Sequence, residues 1–552
     1  MKKLLTAFFI LPLNLFGYNL CNLNLSSESI DFDTNYSGET KQFELNLSNI
    51  SDKYNAITIE EIKILSRFDV FKIVDSKSFT LNIGESKSIT FEYSDIHNLT
   101  SFGSAFVRVK CGNNNFSIAL PLKGKTVYKD EIYSFTQDLW EDDLRNALTQ
   151  FVKKHKSLTY SQARILMWSS FDRINENVEC VYTGKKTYVS DEPNFSELDQ
   201  YGWNTEHTWP QAYGASNDPE RSDLFHIFIT DKNANSKRDN FPFGFVKSGI
   251  TWQEGGSKLG SDDKGTKVFE PRDVHKCNVA RALFYFATKY GNKSNFLTSQ
   301  ETAMREFMKI DPPDDRELAK NDSIFKYQEN RNPYIDHPEF VSRIPSIAVG
   351  GSFAKISDLK AVDQKISVEL KNNDSTIVPI YFYNIGNTEL KNAQINYSTD
   401  GSDFSISGDL SNFSNVANLQ GMYVKVKGNP SPNTKGIVEV IDSDSKKHLV
   451  EITTGAFSSV DNNQTNNISI TVNPNPVFEI ANISISGLNS SSFKSTLKIY
   501  NLLGEEVLDL TNHLLNSNQI SINKNDIKAH SNVFIIKFVN GEYSQTEKLV
   551  IY

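Results

Sequence analysis

The sequence predicts a multidomain chain in which two β-sandwich segments flank a mainly helical α+β region, with a further small β-sandwich at the C-terminal end. The 552 residues exceed the size of one compact domain. Short apolar runs at period two fill residues 22–125 and 355–458, whereas apolar positions recur at spacings of three and four between 128 and 345. The composition is that of a globular protein, and the net charge of −9 does not indicate a polyanion or a membrane surface as partner.

The N-terminal stretch "MKKLLTAFFILPLNLFGYNLC" has two lysines followed by an apolar run from Leu4 to Phe16. The run is too short to span a bilayer and contains a proline, so residues 1–17 are predicted to be a signal peptide cut after Gly17. Lipidation at Cys21 is the alternative, but Leu20 is larger than the residue that usually precedes such a site. No later segment is long enough to form a membrane span.

The two outer segments have the same sequence pattern. Residues 22–125 contain "SFTLNIGESKSITFEYS" and residues 355–458 contain "IVPIYFYNIGNTEL", runs that Gly, Asn and Ser clusters interrupt. Such runs predict antiparallel strands in immunoglobulin-like sandwiches. We expect these modules to act as spacers or weak binding surfaces.

Four cysteines in an exported chain are compatible with two disulfides, and three pairings are possible. Pairing within domains, Cys21 with Cys111 and Cys180 with Cys277, is the economical expectation. Free thiols are the alternative.

The middle region contains the pair Glu206–His207 in "NTEHTWP". On a regular strand the two side chains would face opposite sides, so they can serve one site only at a strand end or an irregularity. Pro210 makes a strand end plausible because proline cannot donate to a ladder. The pair is therefore a candidate site at the end of a strand.

A buried strand, "LFHIFI", and a short helix follow the pair. Thr230 and Asp231 are good N-cap residues for a helix over "DKNANSKR", which Asn240 and Pro242 stop.

On that helix Asn235 and Arg238 are three apart and share a face. The predicted assembly combines a carboxylate and an amide oxygen as hard metal ligands, an imidazole base and a cation. Phosphodiester hydrolysis needs these parts.

These residues resemble the endonuclease I family of secreted, non-specific nucleases, which have a ββα-metal fold. The resemblance covers about 126–345 and rests on five ordered motifs. These are "NTEHTWP" (204–210), "SDLFH" (222–226), "NSKRDNFPFG" (235–244), "FEPRDVHKCNVARALFYFATKYG" (269–291) and "RNPYIDHPEF" (331–340). Phe225 and Ile229 depart from the family pattern, where a second His and a Pro are common, which puts local geometry in question.

The resemblance implies a role for each matched residue. His207 takes the position of the general base, and Glu206 and Asn235 those of the ligands of one divalent cation. The cation is expected to be Mg²⁺, with Mn²⁺ or Ca²⁺ as substitutes. Arg238 and Asn240 match the segment that steadies this helix and the nearby phosphate, with Arg238 expected to act in catalysis and Asn240 to support the substrate or the structure.

Three further residues lie in the family motifs. His226 is expected to be a hydrogen-bonded structural residue of its strand. Arg281 and Arg331 either contact phosphate or form internal ion pairs. Acidic residues outnumber basic ones between 128 and 345, so a positive groove must be local. We expect it around Lys232, Lys237, Arg238 and Lys247.

The C-terminal part has two predicted segments. Residues 459–470 form a polar linker. Residues 471–552, with "VNPNPV", "YNLLGEEV" and the final "EKLVIY", resemble the C-terminal sorting domain of the type IX secretion system. That resemblance implies export to the outer surface or the medium, with the secretion machinery as partner.

The sequence thus predicts a secreted, Mg²⁺-dependent, non-specific endonuclease acting on DNA, with RNA left open as a substrate. The alternative is a cell-surface binding or adhesion protein whose nuclease scaffold is catalytically silent. Sequence carries no HExxH, CxxC pair, P-loop or Gly-x-Ser-x-Gly motif to support a zinc protease, redox, NTPase or serine hydrolase function.

Overall fold

A computed structural model of the chain describes residues 20–550 except 371–373, 389, 392, 401–403, 409–414, 417–418, 429–433, 443, 457–468, 474–479, 487–494, 502–505, 515–518, 528–532 and 541–542. The predicted signal peptide and most of the predicted linker lie outside the described residues. The chain divides into two compact units, Met1–Phe457 and Ser458–Tyr552. Among the described helices, none has the length and apolar content needed to cross a bilayer.

The first segment consists of strands. They are β1 (Leu23–Leu25), β2 (Ile30–Tyr36), β3 (Lys41–Asn49), β4 (Ala56–Ser66), β5 (Phe71–Ile73), β6 (Phe79–Asn82), β7 (Ser86–Tyr93), β8 (Thr100–Cys111) and β9 (Asn114–Val127). Buried and exposed residues alternate along β2, β3 and β7, as predicted for strands with one face on a core.

The middle region is where helices concentrate, as predicted. They are α1 (Glu141–Lys153), α2 (Tyr160–Leu166), α3 (Phe195–Gln200), α4 (Lys232–Arg238), α5 (Asp273–Tyr290), α6 (Glu301–Phe307), α7 (Asp315–Gln328), α8 (Pro333–Asp336) and α9 (Phe340–Arg343). Its strands are short: β10 (Arg173–Ile174), β11 (Asn177–Glu179), β12 (Lys186–Tyr188), β13 (Trp203–His207), β14 (Ile227–Asp231), β15 (Ser248–Glu254), β16 (Ser257–Ser261) and β17 (Lys267–Glu270).

Local sequence explains the main helices of this region. Helix α1 buries Leu144, Leu148 and Val152 at a spacing of four. Helix α2 starts with a capping box between Thr159 and Gln162. Helix α5 is buried over most of its length and forms the centre of the hydrophobic core.

Strands return after the middle region. They are β18 (Leu359–Ala361), β19 (Lys365–Leu370), β20 (Asp374–Asn384), β21 (Leu390–Lys391), β22 (Gln394–Thr399), β23 (Phe404–Gly408), β24 (Asn415–Val416), β25 (Leu419–Gly428), β26 (Lys435–Ile441) and β27 (Lys447–Ala456).

The C-terminal unit contains one short helix, α10 (Thr511–Leu514), among its described elements. Its strands are β28 (Ser469–Asn473), β29 (Ile480–Ser486), β30 (Ser495–Asn501), β31 (Glu506–Asp509), β32 (Gln519–Asn523), β33 (Val533–Asn540) and β34 (Tyr543–Val550). Sheets β28-β29-β32 and β31-β30-β33-β34 share one apolar core.

The two outer segments of the first unit are joined rather than separate. One sheet runs β22-β26-β27-β19-β9-β8-β4-β6, with β2 beside β9, and a single core contains residues from both segments. The seam is the antiparallel contact of β19 with β9, where Ser367 lies opposite Asn115. Two modules strung along the chain were expected, but the second completes the sheet of the first, and the middle region is inserted between them.

Arg343, at the end of α9, connects the middle region to the first segment. It is fully buried. Its Nη1 donates to Oδ1 of Asn98 at 2.6 Å, and Nη2 donates to the carbonyl of Thr136 at 2.8 Å. Asn98 in turn donates to Oγ1 of Thr136 at 2.8 Å. The two segments therefore share a buried polar contact.

The cysteines confirm one predicted disulfide and contradict the other. Cys21 and Cys111 are bonded, which also removes Cys21 as a lipidation site. Cys180 and Cys277 are buried free thiols. The Cys180 thiol donates to Asp231 at 3.2 Å, whereas the Cys277 thiol donates to the carbonyl of Phe307 at 2.5 Å. The two thiols thus have partners in different parts of the core.

Candidate active site

The predicted order of strand, loop, strand and short helix is present. β13 pairs antiparallel with β14, with Glu206 opposite Phe228 and His207 opposite Ile227. Helix α4 follows β14 directly. Oδ1 of Asp231 accepts the backbone N–H of Ala234 at 2.8 Å and caps the helix. Glu206 and His207 are the last two residues of β13, so the pair lies at a strand end as expected.

His207 is held as a neutral imidazole. Its Nε2 lies 3.0 Å from the carbonyl oxygen of Arg221, and since a carbonyl only accepts, Nε2 carries the proton. Nδ1 then has the lone pair, which accepts from the exposed amide of Gln211 at 3.2 Å. Burial lowers the pKa of His207 to about 3. Positive charge on His226, Arg221 and Arg164 acts in the same direction. The ring is therefore neutral at pH 7, and Nδ1 is its unprotonated nitrogen.

Glu206 is buried, with one carboxylate oxygen occupied. Oε1 accepts the hydroxyl of Tyr182 at 2.9 Å and lies 2.8 Å from Nε of Arg238. Burial raises the pKa of Glu206, and Arg238 and Tyr182 oppose that rise. In the described part of the chain Oε2 has no hydrogen-bonding group, which leaves it available to a cation.

Arg238 holds Glu206 from inside the protein. It is fully buried, Nη1 donates to the carbonyls of Asp239 at 2.6 Å and Phe241 at 3.1 Å, and Nη2 donates to that of Thr208 at 3.0 Å. Arg238, which was expected near the phosphate, is therefore bound to protein oxygens instead. All three guanidinium nitrogens face protein oxygens, so Arg238 positions the carboxylate.

Asn235 lies one turn before Arg238, on the same face of α4. Its side chain is half-buried, and within the described residues it has no hydrogen-bond partner. Because Arg238 reaches Glu206 from this face and α4 packs on β13, we expect the amide of Asn235 to lie near Oε2 of Glu206. The described residues include no cluster of three or more His, Cys, Asp or Glu that could hold a metal.

The available donors suit a hard cation with few protein ligands. A carboxylate oxygen and an amide oxygen match Mg²⁺, which is commonly bound through one or two carboxylates together with water and substrate phosphates. The pair Glu206 and Asn235 thus fits the cation that the resemblance implies.

His226 and Asn240 have local contacts. His226 is fully buried, and its Nε2 donates to the carbonyl of Glu220 at 2.5 Å. Its ring lies 5.7 Å from that of His207. Asn240 donates to Asp239 at 3.2 Å. These contacts agree with supporting roles for both residues.

Arg281 and Arg331 form internal ion pairs. The Nε of Arg281 donates to Glu317 at 2.8 Å, and both residues are buried. Arg331 donates to Asp336 at 2.7 Å through both Nε and Nη2, and its Nη1 donates to Asp322 at 2.7 Å. Of the two interpretations left open, the structure favours the internal one.

Two supporting residues were not foreseen. Tyr182 binds Glu206, yet it lies in "CVYTG", which has no distinctive pattern. Asp223, of the "SDLFH" motif, accepts Lys289 at 2.8 Å, Tyr285 at 2.9 Å and Tyr290 at 2.8 Å in a buried network beneath the site. In the sequence only the "SDLFH" motif points to Asp223, because Tyr285, Lys289 and Tyr290 lie more than sixty residues further along the chain.

Comparison with known proteins gives two family matches and two relatives. Residues 140–339 match the family described as Endonuclease I, and residues 471–552 match the secretion system C-terminal sorting domain. An extracellular ribonuclease of Bacillus subtilis (strain 168) is 31% identical over 39% of this chain and 78% of the relative. An extracellular ribonuclease of Bacillus amyloliquefaciens is 30% identical over 36% of this chain and 73% of the relative.

Similarity to solved structures is weak. The match to the periplasmic chaperone SfaE is 12% identical, spans 20% of this chain and 59% of the chaperone chain, and has a TM-score of 0.17.

The chain belongs to the endonuclease I family. Its sorting domain and its extracellular relatives make it a secreted or outer-surface protein, and together they support a secreted nuclease.

Proposed function

We propose that this protein is a secreted, divalent-metal-dependent endonuclease that hydrolyses phosphodiester bonds of DNA and RNA with little sequence preference. The observation that carries the proposal is the end of β13. There His207 presents an unprotonated Nδ1, and Glu206, next to it, is fixed by Arg238 and Tyr182. Mg²⁺ is the proposed ion, with Mn²⁺ and Ca²⁺ as substitutes. The type IX secretion machinery is the proposed export partner.

The chain's own residues carry the steps. Nδ1 of His207 takes a proton from water, and the resulting hydroxide attacks phosphorus in line. The P–O3′ bond breaks, one fragment keeps the 5′-phosphate, and the leaving O3′ of the other takes a proton from solvent to become a 3′-hydroxyl. The carbonyl of Arg221 keeps the ring oriented through Nε2. When bound to Glu206 and Asn235, the cation supplies stabilisation of the charge that develops on the phosphate and the leaving oxygen. A general base contributes about 10²–10⁴ in rate.

Variants of the three central residues test the assignment. His207→Ala removes the base and keeps both proposed ligands, so cleavage should fall by about 10²–10⁴ while nucleic-acid binding persists. His155→Ala is the matched control, because His155 is a half-buried histidine of the same region whose ring contacts Ser157. Its activity should equal that of the wild type. Plasmid cleavage in the presence and absence of EDTA is the measurement.

The metal ligands should show a different defect. Glu206→Gln is preferred to Glu206→Ala, because removing the side chain would leave the buried Arg238 unpaired at a cost of about 3–5 kcal/mol. Glu206→Gln and Asn235→Ala should raise the Mg²⁺ concentration needed for half-maximal cleavage, the first more than the second, and added metal should restore part of the rate.

Two results would overturn the proposal. If His207→Ala cuts at the wild-type rate, the base lies elsewhere. If the wild-type protein binds nucleic acid and cuts it in none of Mg²⁺, Mn²⁺ or Ca²⁺, the alternative of an adhesion or binding protein with a silent nuclease scaffold takes its place.

A further inference from the structure

Two of the four cations expected to form a positive groove near α4 are paired with protein carboxylates. Arg238 is buried against Glu206, and Lys232 pairs with Asp199 at 2.9 Å. Two other cations are connected to His207 through the Tyr160 ring or the main chain. They are Arg164, on α2, and Arg221, in the turn that precedes β14.

These two arginines differ from Arg238 and Arg281, each of which is paired with a protein carboxylate. Both are half-buried, and the Nε of each is shielded from solvent without a hydrogen-bond partner in the described structure. Neither guanidinium forms an ion pair with a described carboxylate, in contrast to Arg238 and Arg281. A guanidinium that has no carboxylate partner in the protein can pair with an external anion through its terminal N–H groups.

Aromatic rings hold the two guanidinium groups beside the base. The Cζ of Arg221 lies 4.3 Å from the centroid of the Tyr160 ring, and that of Arg164 lies 5.7 Å from it. Arg164 also lies 3.9 Å from the ring of Phe195. The Tyr160 ring is 5.6 Å from the ring of His207. Stacking fixes the plane of a guanidinium while its outer N–H groups stay free to donate.

Arg221 is connected to the base through its backbone as well. Its carbonyl oxygen accepts from Nε2 of His207, so its side chain leaves the main chain next to the imidazole.

We propose that Arg164, Tyr160 and Arg221 form an arginine clamp that binds a backbone phosphate of the nucleic acid beside the scissile bond. The proposal rests on the proposed nuclease function. A guanidinium matches the geometry of a phosphate through paired N–H donors, and two of them give a strong local contact in a region with an acidic net charge. Because a phosphate carries no sequence information, this recognition favours cleavage at any sequence.

The test compares Arg164→Met and Arg221→Met with the wild type, using a 20-base-pair DNA duplex as probe. Each substitution should raise KM about tenfold or more and change kcat less. Measured in the His207→Ala background, each should weaken the Kd and reduce the slope of log Kd against log salt by about one. The loss should be equal for duplexes of unrelated sequence.

Two controls separate the clamp from loss of charge or packing. Arg67→Met removes an arginine of the first segment that likewise stacks on rings, at 5.0 Å from Phe68 and 5.2 Å from Trp140, and should leave Kd unchanged. Tyr160→Phe keeps the ring and should bind as the wild type does, whereas Tyr160→Leu should weaken binding. If a Met variant fails to fold, Arg164→Lys and Arg221→Lys keep the charge and lose the planar fork, so their Kd should rise while the salt slope stays the same.

The outcomes distinguish the clamp from the nuclease proposal. Folded Arg164→Met and Arg221→Met proteins that keep the wild-type Kd and salt slope would overturn the clamp. Lys variants that bind with the wild-type Kd would also overturn it. So would an Arg67→Met protein whose affinity for the duplex falls as much as that of the two clamp variants. These results leave the proposed function intact if the wild type still cuts. A wild type that binds through these arginines and never cuts supports the clamp and overturns the nuclease.

Discussion

His275 shows how a buried side chain contributes to the response of this protein to acid. It lies on α5 with its ring 4.8 Å from that of Phe228. Burial, with the charges of Lys320, Arg272 and Arg281, lowers its pKa from 6.5 to about 3. Between these values the unfolded chain binds a proton that the folded chain does not. This histidine therefore lowers stability as the pH falls below 6.5, until about pH 3.

Replacing His275 should make the protein less sensitive to acid. At pH 5 the shift corresponds to about 2 kcal/mol, from about 1.4 kcal/mol per pKa unit. Between pH 7 and pH 5, His275→Phe should therefore lose about 2 kcal/mol less unfolding free energy than the wild type. Urea unfolding followed by tryptophan fluorescence measures this, because all five tryptophans lie between 140 and 252. An identical pH dependence in both proteins would contradict the expectation.

At this scale the sequence predicts the residues that are neighbours along the chain and not those that folding brings together. Glu206 and His207 are adjacent, and Asn235 and Arg238 share a helix face, so local spacing was sufficient to group them. Arg238 was assigned to the phosphate because burial is not visible in the motif. Tyr182 and Arg164 were missed because their places beside the pair depend on elements distant in sequence.

At the scale of elements, β13, β14 and α4 were predictable because each carries its own signals. The apolar run of β14 and the N-cap at Asp231 mark their boundaries in the sequence. The seam between β9 and β19 was not predictable. It joins Asn115 to Ser367 across the whole middle region, and no local pattern specifies which distant strand an edge will meet.

Contact between the first segment and α9 should contribute to the stability of the middle region. Asn98→Ala removes the acceptor of the buried Arg343 and should lower the free energy of unfolding by about 1–3 kcal/mol. Tryptophan fluorescence during urea unfolding again measures the effect. Asn55→Ala, at an exposed position, is the control and should be neutral. Equal stability of the two variants would mean that the polar contact is dispensable.

At the scale of the whole molecule, the C-terminal unit is separate in its core from the part that carries the site. Deletion of 471–552 should therefore leave the specific nuclease activity unchanged and abolish the appearance of the protein outside the native cell. Activity and immunoblots of cell and medium fractions measure the two effects. Normal export of the shortened chain would show that the export signal lies outside residues 471–552.

The joined sheet has a consequence for the order in which the chain can fold. Strand β9 is synthesised before the middle region, and β19, which lies against it, is synthesised after that region. Until β19 has taken its place, part of the edge of β9 has no neighbouring strand, and an open edge can pair with other chains. A chain that ends within the middle region would keep this edge open, because it lacks Ser367 and the rest of β19.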